Sequence, residues 1–331
     1  MMPHSVTRRA VLSLMLTGLT AATVPQALAQ APSALDTRTA AAKVAPLVDA
    51  KWLKARLNEP GIVILDVTSK RIYASGHVPG AIFSAFGRWR TRKGDVPGML
   101  PPVDYLEKLV GSLGVGNEDH VVLVPAGWSA GDVGIATRIY WTLKTLGHEK
   151  VSILDGGLNA WLSDRRNPVQ KASVSPEPKP FRARFTDAWL ATAQDVETAL
   201  AGGSPQLVDN RPVAQHTGIE KSGAVLRYGT IPGAINVPED WLLHKGRFRP
   251  VAQLRRLHDL LGVKDGPVIH FCNTGHRASV GWFVRSELLG MKNSRLYDGS
   301  LAEWTRLPAE THPIEVKLDI HSAESRKAAT K

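Results

Sequence analysis

Two widely separated stretches of this sequence carry the same signals in the same order, and that duplication limits the fold more than any other feature. Ile62-Val63-Ile64-Leu65-Asp66-Val67 and Gln206-Leu207-Val208-Asp209-Asn210-Arg211 are both apolar runs closed by aspartate. Gly76-His77-Val78-Pro79-Gly80-Ala81 answers Gly229-Thr230-Ile231-Pro232-Gly233-Ala234, and Leu113-Gly114-Val115 answers Leu261-Gly262-Val263. Val121-Val122-Leu123-Val124 then answers the run before Cys272, and Asp155-Gly156-Gly157-Leu158-Asn159-Ala160-Trp161 answers Asp298-Gly299-Ser300-Leu301-Ala302-Glu303-Trp304. Five matches in one order identify two copies of a single unit. Within each copy strand patterns alternate with helix patterns, which predicts an α/β unit whose parallel β-sheet is covered by helices on both faces. The expected domains are 44–166 and 187–315, joined by a linker over 167–186 that carries Pro168, Pro176, Pro178 and Pro180, with a mobile tail over 316–331.

Met1 to Ala29 does not belong to either copy. A basic start ending in Thr7-Arg8-Arg9, an apolar stretch from Ala10 to about Val24 and the small-x-small site Ala27-Leu28-Ala29 predict a signal peptide cleaved near Ala29. The apolar part is short for a bilayer span, so no stable membrane anchor is expected and the mature chain is expected in the periplasm or otherwise exported. Thr7-Arg8-Arg9-Ala10-Val11-Leu12 also resembles the twin-arginine signal pattern, with Val11 where that pattern commonly has Phe. Cleavage removes Arg8 and Arg9 and takes the formal charge from +11 to +9. A basic surface suits small anions as partners. Nucleic acid is not expected, because the cations are scattered through both halves without a basic run or a zinc or RNA-binding signature. A single cysteine excludes an internal disulfide and a thiolate zinc cluster.

That cysteine, Cys272, lies where a strand pattern, Val268-Ile269-His270-Phe271, gives way to a loop and then to a helix pattern after Ala278. Strand-loop-helix turns point successive backbone N–H groups inward at the positive end of a helix, which cradles anions and favours a thiolate. Arg277 and His276 in the same loop favour it further. Cysteine phosphatases resemble this arrangement, with five residues between Cys and Arg, whereas Arg277 follows Cys272 after four.

The six-residue loop Cys272-Asn273-Thr274-Gly275-His276-Arg277 resembles the active-site loop of the rhodanese family, the sulfurtransferases that hold a sulfane sulfur on one cysteine as a persulfide. The resemblance covers nearly the whole mature chain, including the Asp-ended strand, the Gly-x-x-Pro-Gly-Ala turn and the Asp-Gly turn followed by Trp. It implies two tandem rhodanese-like domains, catalysis by Cys272, and a persulfide-binding loop of Asn273, Thr274, Gly275, His276, Arg277 and Ala278. No cofactor or metal is implied. The implied partners are a small anionic donor such as thiosulfate and an acceptor such as cyanide, a thiol or a protein. Arg277 is expected at the donor's anionic end; His276 either steers the donor or fills the loop rim. Arg211 matches the Asp-x-Arg of active domains and is expected to bind substrate, while Asp209 is expected to hold loops together. The family often has a second arginine a few residues later; here the chain reads Pro212-Val213-Ala214-Gln215-His216-Thr217-Gly218. That departure weakens mercaptopyruvate recognition and leaves thiosulfate the default donor. Pro125, at the place equivalent to Cys272, leaves the first copy without a nucleophile, which resembles the tandem rhodaneses, whose N-terminal domain is structural and helps wall the cleft while the C-terminal domain carries sulfur. A sulfur carrier with little turnover is the remaining alternative, since it needs the same cysteine in the same cradle.

Overall fold

The computed structural model describes residues 44–321. The expected signal segment Met1–Ala29 and the end of the expected tail lie outside the described residues. The first copy contains β1 (Leu47–Val48), β2 (Ile62–Asp66), β3 (Ile82–Phe83), β4 (Thr91–Lys93), β5 (Val96–Met99), β6 (His120–Val124) and β7 (Val151–Leu154). The second contains β8 (Leu190–Ala191), β9 (Gln206–Asp209), β10 (Ile235–Asn236), β11 (Leu243–His244), β12 (Arg247–Phe248), β13 (Val268–Phe271) and β14 (Ser294–Tyr297).

Each copy builds one parallel five-stranded sheet, in the order β1-β7-β6-β2-β3 and β8-β14-β13-β9-β10, so the repeat read in sequence is a repeat in topology. The central strands are largely apolar. Val121, Val122, Leu123 and Val124 in β6, like Val268, Ile269 and Phe271 in β13, are buried, as a sheet covered on both faces requires. Two short antiparallel hairpins, β4–β5 and β11–β12, stand outside the sheets.

The helices that follow the two central strands pack on each other across the domain boundary. Ala130–Thr145 begins after the loop of the first copy and Ala278–Phe283 after the Cys272 loop. Tyr140 meets Phe283 edge-on at 4.9 Å between ring centroids, and Thr137 shares a 2.7 Å hydroxyl hydrogen bond with Ser279. One hydrophobic core therefore runs from Val133 and Ile139 to Trp282 and Val284, burying both copies against each other.

The expected linker 167–186 does not hang free. Gln170 exchanges backbone hydrogen bonds with His77, Lys179 donates to Gly111 O at 3.0 Å and Arg184 to Leu146 O at 2.8 Å, all on the first domain. The start of the expected mobile tail is also tied down: Lys317 and Leu318 N–H both donate to Thr217 O. Backbone pairing of this kind is set by the neighbouring surface, which proline and polar content do not reveal.

Candidate active site

Cys272 follows β13 directly, at the carboxyl end of the central strand and 1% exposed. Ligand sites of parallel sheets gather at this edge because the loops there leave the helices' positive ends converging. The loop is held from below by Ser300. Its Oγ accepts the N–H groups of Cys272 and Gly275, each at 3.1 Å, and donates to Tyr297 O at 2.7 Å, so one hydroxyl is fully used. Leu301 N–H donates to Cys272 O at 3.1 Å and Ala302 N–H to Asn273 O at 2.8 Å, completing the floor. Ser300 reaches this place with φ +48°, a conformation that a residue with a Cβ adopts only under constraint. The N–H groups of Thr274, His276 and Arg277 make no hydrogen bond to protein among the described residues.

The first domain supplies the other wall. Asp298 accepts the Leu100 N–H at 2.7 Å and forms a buried ion pair with Arg138. Arg138 also donates to Gly275 O at 3.3 Å and Gly98 O at 3.4 Å, joining β5 to the Cys272 loop. Gly275 has φ +69°, and a Cβ there would lie 2.3 Å from Arg138 Nη1. Only glycine fits. Arg90, between the first 3₁₀ turn and β4, donates from Nη2 to Thr274 Oγ1 at 3.0 Å and lies 5.1 Å above the Phe86 ring.

The sequence-predicted residues separate into three groups. Cys272, Thr274, Gly275 and Ala278 take their expected loop positions, with Ala278 fully buried at the first turn of its helix. Asn273 turns its amide toward the second domain, where Nδ2 donates to Gln215 Oε1 at 2.8 Å. Arg277 is engaged by the buried Glu239, which accepts from its Nη1. His276 lies against Phe86, 5.0 Å between centroids, with Nε2 buried without a partner. Burial, with help from Arg90 and Arg138, lowers its pKa to about 4. Its imidazole is therefore neutral near pH 7 and fills the rim between the domains, which leaves no charge with which to steer an anion.

Arg211 requires a correction. It is fully buried, donates to both Asp209 carboxylate oxygens, at 2.6 Å from Nη2, and to Gly229 O at 2.9 Å. Asp209 also accepts from Thr230 Oγ1 and pairs with His216 Nδ1. Burial alone would raise the Asp209 pKa, but Arg211 and His216 hold it well below the carboxylate range. The arginine expected to bind substrate instead ties β9 to the turn before β10, and Asp209 holds loops together as expected.

The first copy shows what silence looks like. Leu158 N–H donates to Pro125 O and Asn159 N–H to Ala126 O, the same floor that Leu301 and Ala302 provide. Gly157 stands where the second copy has Ser300. Trp128 and Ser129 N–H both donate to Asp132 Oδ2, in the capping box that starts the helix Ala130–Thr145. Neither Asp298 nor Ser300 is among the residues expected at the site from sequence; the serine replacing a glycine inside an otherwise repeated turn is the available signal.

Comparison with known proteins gives a consistent result. A rhodanese-like domain model matches residues 49–164 and again residues 192–307. The 3-mercaptopyruvate sulfurtransferase of Escherichia coli (strain K12) is 32% identical over 281 residues, covering 81% of this chain and 98% of that protein. The thiosulfate sulfurtransferase of Corynebacterium glutamicum is 32% identical over 287 residues, covering 80% and 90%. The crystal structure of the E. coli 3-mercaptopyruvate sulfotransferase aligns with a TM-score of 0.69 at 30% identity, covering 78% of this chain and 99% of that one.

Proposed function

The chain belongs to the rhodanese family and is a sulfurtransferase, and we propose that it moves sulfane sulfur from thiosulfate to cyanide or a thiol through a persulfide on Cys272. The Cys272 thiolate attacks the outer sulfur, the sulfur–sulfur bond of thiosulfate breaks, and sulfite leaves with the bonding pair. Attack by the acceptor on the outer persulfide sulfur then returns the thiolate. The observation that carries this reading is the placement of the chain's single cysteine in a loop fixed through Ser300. The N–H groups of Thr274, His276 and Arg277 are the donors for the persulfide's terminal charge.

The relatives carry two donor names, so 3-mercaptopyruvate is the second reading. Thiosulfate stands first because Gln215 occupies the neighbourhood of the family's second arginine and is committed to Asn273. Intact mass after incubation with thiosulfate should show one added sulfur that a reductant removes. Cys272→Ser should add none and retain at most a trace of cyanide-dependent thiocyanate formation; more than a trace would refute the assignment. Many thiocyanates formed per protein would separate a catalyst from a carrier.

The place of action belongs to the same proposal. Thr7-Arg8-Arg9 and Ala27-Leu28-Ala29 support export with cleavage near Ala29. N-terminal sequencing of the exported protein that found Arg8 and Arg9 retained would contradict it.

A further inference from the structure

The arginines around the Cys272 loop differ in how their charge is balanced. Arg277 is paired with Glu239, Arg138 with Asp298 and Arg211 with Asp209. Arg90 has no carboxylate within ion-pair distance among the described residues. Its polar contacts are neutral: Thr274 Oγ1 at 3.0 Å and Gly98 O at 3.4 Å. The guanidinium is half-buried, and its pKa is lowered by burial and by Arg138, while Cys272 and Asp298 act in the opposite direction. Through Thr274, Arg90 is joined to the loop that carries Cys272. A cation partly withdrawn from water beside a second cation is costly unless an anion joins it.

The duplication sharpens the point. The two hairpins align from Trp89 with Trp241 to Gly94 with Gly246, without a gap, which places Leu242 opposite Arg90. Leu242 is fully buried. The hairpin beside the silent loop therefore has an apolar residue where the hairpin beside the Cys272 loop has a partly accessible guanidinium. Hairpin packing alone is met by leucine, so the arginine answers a requirement found only at the Cys272 loop.

We propose that Arg90, supplied by the first domain, binds the oxyanion end of the sulfur donor and makes the site selective for anionic donors of the thiosulfonate class. The planar guanidinium presents parallel N–H groups that match two oxygens of a sulfonate. This assignment rests on the reading of Cys272 as the persulfide carrier. The first domain then acts in donor binding even though its own loop is silent, and Arg90 supplies a cation that Gln215 does not.

The test is single-turnover modification of Cys272 followed by intact mass, in wild type, Arg90→Gln and Arg90→Lys, with thiosulfate, which adds one sulfur as sulfite leaves, and with the neutral diallyl trisulfide, from which the thiolate takes an allylthio or allyldisulfanyl group as allyl persulfide or allyl thiolate leaves. Arg90→Gln should raise the half-saturating thiosulfate concentration roughly 10 to 150-fold, the size of one charge-assisted contact, and leave modification by the trisulfide near wild type. Arg90→Lys should recover part of the loss. Unloading of preformed persulfide by dithiothreitol should not change. An unchanged half-saturating concentration in Arg90→Gln overturns the proposal, and so does an equal loss with both donors, which would make Arg90 a support for Thr274 only. A wild-type protein that gains no sulfur, or a Cys272→Ser variant that gains it, overturns the persulfide reading and the Arg90 assignment with it.

Discussion

Ser300 and Gly157 occupy one place in the two copies, and the difference of one hydroxymethyl group marks which loop is built for chemistry. In the second copy the Ser300 hydroxyl gathers the N–H groups of Cys272 and Gly275, which draws the loop into a turn around the sulfur. In the first copy a Cβ at Gly157 would lie 2.1 Å from Pro125 O, so that loop has collapsed onto its glycine. Ser300→Ala leaves two buried donors without an acceptor, at about 1 to 3 kcal/mol each if they stay buried. The expected outcome is a lower melting temperature and persulfide loading slowed by about tenfold or more. Ser300→Gly separates the two effects of the residue: it relieves the left-handed backbone, worth about 1 kcal/mol, yet still loses the acceptor. It should melt above Ser300→Ala and load as slowly. Loading by Ser300→Gly at the wild-type rate would show that the hydroxyl does not position the loop.

At the level of elements, the two sheets, their central strands and the loop after β13 were legible because their signals are local. An apolar β-branched run, a proline-glycine turn and a strand-to-helix change each act within a few residues. The duplication then supplied register, since Pro125 and Cys272 could be placed opposite each other before their common hydrogen bonds from Leu158 and Leu301 were known. The hairpins were not legible. β4–β5 carries a basic, glycine-containing sequence whose meaning depends on what it touches, and it touches the other domain: Leu100 N–H donates to Asp298, as Phe248 N–H after β11 donates to Asp155 at 3.0 Å. This reciprocal exchange seats each hairpin on the Asp-Gly turn of the other copy. Arg211 failed for the related reason that Asp-x-Arg at a strand end fixes which residues are neighbours but not whether the guanidinium faces the cleft or the core. Arg138 and Arg90, which do reach the Cys272 loop, come from the copy that lacks a nucleophile.

For the whole molecule, the buried histidines set the response to acid. His148, His258, His270 and His276 each have a buried Nε2 without a partner, and burial lowers the pKa of each, to about 4 for His148 and His276. In the unfolded chain these groups titrate near 6.5, so between those values the unfolded state binds more protons than the folded one. Their contribution to stability is complete above about pH 6.5 and is lost as pH falls toward 4, by at most about 3 kcal/mol for each of His148 and His276. Asp66 and Asp155 work in the other direction, because burial raises their folded pKa and protonation relieves them as pH falls. The low pKa of Asp209 acts in a lower window, below the ordinary carboxylate range, since its ion pair with Arg211 and its hydrogen bond with His216 survive until the carboxylate itself is protonated. Urea midpoints should therefore fall steadily between about pH 6.5 and pH 5, with net proton uptake on unfolding across that interval. A midpoint that stayed constant there, with no proton uptake, would mean that these histidines titrate normally in the folded protein, and the neutral His276 wedge between the domains would have to be given up with them.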